Sequence, residues 1–336
     1  MKKFKLIALY LLLLVAIAAT GLSAAAWYWV EHPVAMDSER VDYVVESGSR
    51  PRSIARLMNK SGIHINEMAF VALARLTGRD ILLKAGAYEA VRGDTPRTLL
   101  ERMANGDMTQ TQITLVEGWT YQRIRQVLRE DPQVKQTLST TTDEELLKRL
   151  GAPEASPEGL FYPDTYIFVP GSADFDILRR AYHAQQQLLN AVWADRDPQL
   201  PLKTPYEALI LASIVEKETG HSADRDRVAG VFINRLRIGM PLQTDPTVIY
   251  GMGDAYQGRI RKTDLTTDTP WNTYTRGGLP PTPIASVGRA ALLSVLHPET
   301  HKFLYFVSRG DGTSEFSSNL LDHNRAVSKF ILGRRN

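Results

Sequence analysis

The sequence predicts an α+β protein that an N-terminal helix anchors in a membrane. Three observations support this fold class: an uncharged apolar run at residues 6–30, short strand-like segments that each precede an amphipathic helix, and a long apolar helix near the middle. At 336 residues the chain is long enough for two domains behind the anchor. The predicted divisions are a cytoplasmic tail (1–5), a transmembrane anchor (6–30), a linker (31–41), a small α+β module (42–110) and a larger mixed α+β domain (111–336).

The apolar run 6–30 has about the length that a helix needs to cross a bilayer. Lysines precede it, so the N-terminus is expected in the cytoplasm, and the aromatic cluster 27–29 suits the opposite interface. A cleaved signal peptide is the alternative, because the alanines 24–26 offer a cleavage site. The length of the run and the aromatic cluster favour a single-pass anchor in the inner membrane, with the remaining chain in the periplasm.

The composition excludes several classes of function. The net charge of +3 comes from three lysines before the apolar run, and without them 37 basic residues face 37 acidic ones. A neutral domain argues against nucleic acid as a partner. The chain has no cysteine, so disulfides, thiol nucleophiles and Cys-zinc sites are excluded.

A short strand, a glycine turn and the start of an amphipathic helix recur three times. The strands are predicted at 43–48, 88–93 and 113–118, each followed by a helix that begins within about ten residues. The first two copies, with a helix at 65–76 between them, predict the small α+β module. The third copy opens the larger domain.

The helix at 204–220 carries signals at both of its ends. Thr204 can cap the N-terminus, Glu207 completes a capping box, and Gly220 suits the residue after the C-terminus. Apolar side chains fill most of the helix between these signals. We therefore expect the helix to be buried in the core of the larger domain.

Two acids near the end of this helix face in different directions. With Ala208 at zero and about 100° per residue, Glu218 falls at roughly 280°, in the middle of the apolar arc. Glu216 falls at roughly 80°, nearer the polar side, and is interpreted as exposed or paired with a cation. A carboxyl in an apolar arc is costly to ionise, so Glu218 is expected to have a raised pKa.

Polar loops are predicted on the C-terminal side of this helix. A helix at 224–236 leads into a stretch at 240–251 that is predicted as a loop, since proline lies on both sides of its polar residues. Loops rich in amide and hydroxyl side chains suit a neutral, hydroxyl-rich ligand such as a glycan, although the asparagines could equally cap turns. The candidate ligand-binding residues are Gln243, Asp245, Tyr250, Asn272 and Asn319.

The aromatic stretch 158–166 leaves two interpretations open. It could present ring faces to sugars, or it could be a packed loop, which is the more common outcome. The sequence from His297 to His301 has the letters of a zinc motif in the wrong order, and Pro298 breaks the helix that would present the ligands. Ser213 has no histidine nearby and is interpreted as structural. We predict no metal and no cofactor.

Four segments resemble the YceG-like family of endolytic murein transglycosylases. They are ALILASIVEKET, VFINRLRIGMPLQTDPTVIYG, NTYTRGGLPPTPIASVG and HPETHKFLYFV, at 208–219, 231–251, 272–288 and 297–307. The resemblance also covers the order of anchor, module and larger domain. It implies a LysM-like glycan-binding fold for 42–110, where a spacer with no ligand is the alternative. For 111–336 it implies a catalytic domain resembling lysozyme-like transglycosylases.

The resemblance implies an activity and a catalytic residue. The activity is cleavage within peptidoglycan glycan strands to give 1,6-anhydro-N-acetylmuramic acid ends, with a single catalytic glutamate that corresponds to Glu218. The implied partners are nascent strands and the synthases, or penicillin-binding proteins, that polymerise them. Two alternatives stay open: a hydrolytic muramidase with Asp245 as its second carboxylate, and a non-catalytic scaffold that binds the wall or the synthases.

Overall fold

The computed structural model describes residues 2–46, 48–218 and 222–333 of the chain. Contacts within the chain divide it into two compact units, Met1–Thr111 with Ile167–Ser172, and Gln112–Tyr166 with Ala173–Asn336. Helices and short antiparallel strand pairs occur in both units, so the predicted α+β class is confirmed.

The N-terminal helix is longer than the apolar run that predicted it. Helix α1 covers Lys2–Glu31, and within it Tyr10–Glu31 has a mean hydropathy of 1.9 and is not buried by the protein. This is the one helix in the described chain that is long and apolar enough to cross a membrane. At its end, Glu31 forms an ion pair of 2.6 Å with Arg97 of the first unit.

Beyond α1, the first unit contains two antiparallel strand pairs and three helices. Strands β2 and β4 pair so that Tyr43 lies opposite Tyr88, and both tyrosines are buried. The two-residue strands β1 and β3 form a second pair that the sequence did not reveal. The elements are β1 Ala35–Met36, β2 Arg40–Val45, α2 Pro51–Lys60, β3 Ile63–His64, α3 Glu67–Leu76, β4 Gly86–Val91 and α4 Pro96–Asn105.

The strand and helix positions predicted for this unit agree with the structure. Alternate burial along β2 places Val41, Tyr43 and Val45 in a core with helix residues such as Ile54 and Leu99. The resemblance of this unit to a LysM module stays a prediction.

The second unit is mostly helical and contains the strand pair β7 with β8. The boundaries between the two units fall within strands β5 Thr111–Thr114 and β6 Thr165–Phe168. The first helices of the second unit are α5 Tyr121–Glu130, α6 Asp143–Leu150, α7 Asp174–Ala194, α8 Pro205–Glu218 and α9 Ser222–Arg237. Its later elements are α10 Asp245–Met252, a 3₁₀ turn at Gly253–Ala255, α11 Lys262–Thr266, α12 Arg289–Leu296, β7 Tyr305–Ser308, β8 Ser314–Ser317, α13 Leu320–Val327 and a π-helical turn at Ser328–Leu332.

Helix α8 is the central helix of the second unit, as its apolar sequence predicts. Every residue from Ala208 to Val215 is buried, and the helix packs against α7, α9, α10 and α12. The Thr204 hydroxyl accepts a hydrogen bond of 3.2 Å from the backbone N–H of Glu207, which confirms the N-terminal cap. Gly220, the predicted C-terminal signal, lies outside the described residues. Ser213 is structural, since its hydroxyl bonds the backbone of Ile210 and Ile284.

The prediction of a loop over 240–251 is wrong for its second half. Residues Asp245–Met252 form helix α10, with Pro246 in its first turn. Proline is tolerated there because the first N–H groups of a helix have no partner within the helix. Asp245 is also favourable in a first turn, since the N-terminal end of a helix carries a partial positive charge. The prolines therefore mark the start of a helix in this stretch.

Candidate active site

Glu218 is the last residue of α8 and lies in a cleft of about 420 Å³. The rigid, buried helix brings its carboxyl to the edge of the core, where α9, the segment before α10, the β7 strand and α13 meet. The cleft is lined by Glu218, Phe232, Arg235, Gln243, Asp245, Tyr274, Tyr305, Phe306, Leu320, His323 and Asn324. It is open enough to admit an extended ligand and combines aromatic rings with a few polar groups.

The surroundings of Glu218 favour a protonated carboxyl. Burial is the main cause that raises its pKa, as its place on the apolar arc predicts. The hydrogen bond that the Thr244 hydroxyl donates to Oε1 acts in the opposite direction. The negative charge of Asp245 adds to the increase, and the positive charge of Arg235 reduces it. The balance leaves the pKa raised, so this carboxyl can hold a proton at a higher pH than an ordinary glutamate.

Arg235 is a buried cation in the wall of the cleft, with only 6% of its surface exposed. Its Nε donates to the carbonyl of Leu304 at 2.7 Å, and its NH1 donates to the carbonyl of Leu242 at 2.6 Å. The guanidinium also lies 5.3 Å from the ring centre of Tyr305. These contacts hold a positive charge near Glu218 and connect α9 to the segments on either side of the cleft.

The backbone between α9 and α10 is unusual at Gln243. Its φ of 47° makes it the one non-glycine residue with a positive φ in the described chain. The bond of 3.1 Å from its N–H to the carbonyl of Thr273 holds this conformation. The hydroxyl of Thr273 accepts from the N–H of Thr244 at 3.1 Å. Such conformations are found at sites where function requires a fixed geometry, and here it directs the Thr244 hydroxyl toward Glu218.

Asp245 and Tyr274 form a second polar pair in the cleft. The Tyr274 hydroxyl donates to Oδ1 of Asp245 at 2.7 Å. The backbone of Tyr274 is held in place by Asn272, whose side-chain oxygen accepts from its N–H at 2.9 Å. The Asn272 amide also donates to three backbone carbonyls between Asp264 and Thr267. Asn272 therefore shapes the loop that presents Tyr274.

The five predicted ligand-binding residues separate into three groups. Gln243 and Asp245 line the cleft with Glu218. Asn272 is fully buried, and Asn319 caps α13 by accepting from the N–H of Asp322 at 3.0 Å. Both asparagines position elements that line the cleft. Tyr250 lies on α10 but lines a different cavity, where its hydroxyl donates to Glu158.

Glu216 differs from its predicted setting. It is half-buried, and its Oε2 accepts from the backbone N–H of Gly288 at 3.0 Å. Burial raises its pKa also, but it is absent from the lining of the Glu218 cleft. The two glutamates thus have separate surroundings, as their angular positions predict.

Sequence reasoning missed most residues of the site, including four with polar side chains near Glu218. Arg235, Tyr274 and His323 line the cleft, and Thr244 bonds Glu218. The sequence held one signal that could have identified Arg235 as a site residue, because a charged side chain among the apolar positions of α9 needs a buried partner. The others could not be found from sequence, because their roles depend on loops that are far apart in the chain.

No group of three potential metal-ligating side chains comes together within residues 2–46, 48–218 and 222–333. His301 bonds backbone atoms instead, with its Nε2 lying 2.9 Å from the carbonyl of Arg227. Its Nδ1 accepts from the N–H of Phe303 at 3.0 Å. The polar groups that line the cleft are carboxyl, guanidinium, phenol, amide and imidazole groups.

The fold is that of an α+β protein whose N-terminal helix is long enough to cross a membrane. Its cleft contains one carboxyl of raised pKa at the end of a helix, that of Glu218, together with aromatic rings. The chain belongs to the YceG-like family, whose profile matches residues 43–329. The match extends over parts of both compact units and includes all the residues that line the cleft.

Relatives and a solved structure agree with this assignment. An endolytic murein transglycosylase of Bacillus subtilis is 30% identical over 317 residues, covering 89% of this chain and 87% of the relative. A protein of the same name from Streptococcus pneumoniae is 26% identical, covering 97% of this chain and 65% of that longer protein. The crystal structure of a YceG-like protein from Listeria monocytogenes has a TM-score of 0.54 and 26% identity, covering 85% of this chain and 98% of that one.

Proposed function

We propose that this protein is a lytic transglycosylase that cleaves within peptidoglycan glycan strands, with Glu218 as its general acid and base. The observation that carries the proposal is the Glu218 carboxyl, which ends a rigid helix and has a pKa raised by burial in an aromatic-lined cleft. Membership of the YceG-like family supports the lytic transglycosylase activity, since two of its curated relatives are named endolytic murein transglycosylases.

One carboxyl is sufficient for this reaction. The protonated Glu218 donates its proton to the glycosidic oxygen as the bond from that oxygen to C1 of N-acetylmuramic acid breaks. The resulting carboxylate then accepts the proton of the C6 hydroxyl of the same sugar, and the C6 oxygen bonds to C1. The product is a 1,6-anhydro end, no water is consumed, and Glu218 is again protonated.

The neighbouring groups support both stages of this cycle. The Thr244 hydroxyl and the charge of Arg235 favour the carboxylate that forms after the first proton transfer. Burial and Asp245 favour the acid that begins the cycle. Gln243 and the Asp245–Tyr274 pair are placed to hold sugar hydroxyl and amide groups, and Tyr305 and Phe306 offer ring faces to the sugars.

The proposed location of the enzyme rests on α1, which is long and apolar enough to cross a membrane. We propose that α1 anchors the protein in the inner membrane with a cytoplasmic N-terminus, and that the chain beyond α1 lies in the periplasm. The first unit would act as a LysM-like module that contacts wall glycan. Nascent strands that leave the membrane-bound synthases would then be the substrate, and their cleavage would end chain growth.

Product analysis tests the proposed reaction. Purified full-length protein in detergent should convert isolated peptidoglycan into fragments with 1,6-anhydro-N-acetylmuramic acid ends. Chromatography with mass spectrometry separates these from reducing ends, which are heavier by one water. Reducing muramic ends without anhydro ends would overturn the transglycosylase proposal.

A hydrolytic muramidase is the second candidate, because Asp245 shares the cleft with Glu218. A hydrolase would need this second carboxylate to activate water. We expect Asp245→Asn to remain active and to produce anhydro ends. Loss of cleavage in Asp245→Asn by about 10²-fold or more, together with reducing ends from the parent enzyme, would favour hydrolysis instead.

Thr244→Val should move the pH profile of cleavage. The hydroxyl stabilises the charged form of Glu218, so its removal raises the pKa of that carboxyl further. Activity that needs the acid form is lost as pH rises through this pKa, so the alkaline limb of kcat/KM should shift to higher pH. Thr244→Ser keeps the hydroxyl and is the control. A shift to lower pH in Thr244→Val, or the same shift in both variants, would contradict the assignment.

A further inference from the structure

A second cavity of about 500 Å³ lies in the same unit as the Glu218 cleft. It is built by the start of α5, the segment before Glu158, the C-terminal half of α10 and the turn that follows it. The described residues that line it are Thr120, Tyr121, Gln122, Asp143, Ser156, Pro157, Glu158, Ile249, Tyr250, Gly253, Asp254, Tyr256 and Trp271. The proposed chemistry at Glu218 uses none of them.

Glu158 lies at the base of this cavity with 4% of its surface exposed. Its carboxyl accepts from the backbone N–H of Tyr121 at 3.0 Å and from the Tyr250 hydroxyl at 3.1 Å. Burial raises its pKa to about 7. Within the stretch 158–166, Leu160 and Phe161 are packed in the core, which agrees with the packed-loop interpretation, while Glu158 faces the cavity.

The two cavities share two structural elements. Helix α10 places Asp245 in the cleft and Tyr250 in the second cavity, about 7.5 Å further along the helix axis. The following loop places Tyr274 in the cleft and Trp271 in the second cavity. Two elements that each contribute to both cavities place the cavities near each other within the same unit.

The lining of the second cavity suits a neutral saccharide. Trp271 packs against Tyr250 at 5.4 Å, and Tyr256 adds another ring, so apolar sugar faces have aromatic partners. Glu158, Asp143 and Asp254 offer oxygen acceptors for hydroxyl and amide donors. The described lining residues include no lysine or arginine, and the carboxyl groups disfavour an anionic ligand such as a peptide stem.

We propose that this second cavity is a distal subsite that binds an N-acetylated sugar of the same glycan strand whose bond is cleaved at Glu218. The inference rests on the proposed function, because it takes a glycan strand as the substrate. An enzyme that cleaves inside strands has sugars on both sides of the broken bond. A subsite beyond the Glu218 cleft lets it prefer long strands to short fragments.

Substitution of the aromatic residues tests the subsite. We expect Trp271→Ala and Tyr256→Ala to reduce the preference for long strands. This preference is the ratio of kcat/KM for isolated uncrosslinked strands to kcat/KM for the shortest oligosaccharide that the enzyme cleaves. Loss of one stacking partner should lower this ratio about tenfold, equivalent to about 1.4 kcal/mol. Tyr256 is a useful second site because it is partly exposed and its backbone bond to Gly253 does not involve the ring.

Trp193→Ala is the matched control, since Trp193 lies on α7 and is absent from the lining of both cavities. It should keep the strand preference of the unmodified enzyme. An unchanged ratio in both cavity variants, or equal losses on strands and oligosaccharides, would overturn the subsite. The strand preference compares substrates of different length for the same enzyme variant. The subsite proposal can therefore be wrong while Glu218→Gln and the anhydro product still support the proposed function. The subsite proposal can also be right if Glu218 is not the acid.

Discussion

Glu218→Gln should lower the rate of glycan cleavage by about 10² to 10⁴-fold, the range that general acid–base catalysis supplies. Glutamine keeps the size of the side chain and its oxygen can still accept from the Thr244 hydroxyl. It cannot donate a proton to the glycosidic oxygen. The loss should appear in kcat for long strands and for short oligosaccharides, measured by release of soluble fragments from peptidoglycan.

Glu216→Gln is the matched control on the same helix. Its side-chain oxygen can still accept from the N–H of Gly288, so activity should stay close to that of the unmodified enzyme. Equal activity of Glu218→Gln and the parent enzyme would remove Glu218 from catalysis. Equal losses in the two variants would show a structural effect on the end of α8.

The stability of the Glu218→Gln variant gives an independent check. The pKa of Glu218 is higher in the folded protein than in the unfolded chain. The contribution of Glu218 to the free energy of unfolding is therefore fully present at pH values below its pKa in the unfolded chain, and it is lost as pH rises through its pKa in the folded protein. Glutamine does not ionise and does not lose that contribution. The melting temperature of the variant at alkaline pH should therefore equal or exceed that of the parent, while its activity is lost.

Arg235→Ala should lower the free energy of unfolding by about 2 to 5 kcal/mol, because it leaves two backbone carbonyls without their donor. These carbonyls belong to Leu304 and Leu242, and the residue Leu242 is fully buried. Chemical denaturation of the variant measures this change. Activity should fall also, since the guanidinium no longer stabilises the carboxylate form of Glu218.

Arg237→Ala is the control for this experiment. Arg237 lies two residues further along α9, is exposed, and makes longer bonds of 3.3 Å to Asn234 and Gln199. Its loss should change stability by no more than about 0.5 kcal/mol. A similar loss of stability in the two variants would mean that burial of Arg235 has no special role.

Local patterns predicted the element that carries the candidate catalytic residue. The Thr204–Glu207 cap and the apolar run that follows predicted the start and burial of α8. The angular position of Glu218 on the apolar arc predicted its raised pKa. These inferences succeeded because the helix period and the capping geometry depend on residues that are close in sequence.

The same local reasoning failed where tertiary contacts decide the outcome. Pro246 lies in the first turn of a helix where the sequence predicts a loop, and Tyr250 lines a second cavity. For Asn272 and Asn319 the sequence left ligand binding and turn capping open, and in the fold both hold backbone segments in place. An amide side chain has the same composition in either role, so only its partners in the fold distinguish them.

The sequence by itself determined the membrane-length helix, the α+β class, the buried helix α8 and which of its two acids lies on the apolar side. Each of these depends on hydrophobic periodicity or on composition within a short window. Only the tertiary structure decided what surrounds Glu218, because Thr244, Arg235 and Tyr274 reach it from separate segments. The tertiary structure also decided that α10 has a cavity at each end, because helix packing and not local propensity determines which side chains line the same cavity.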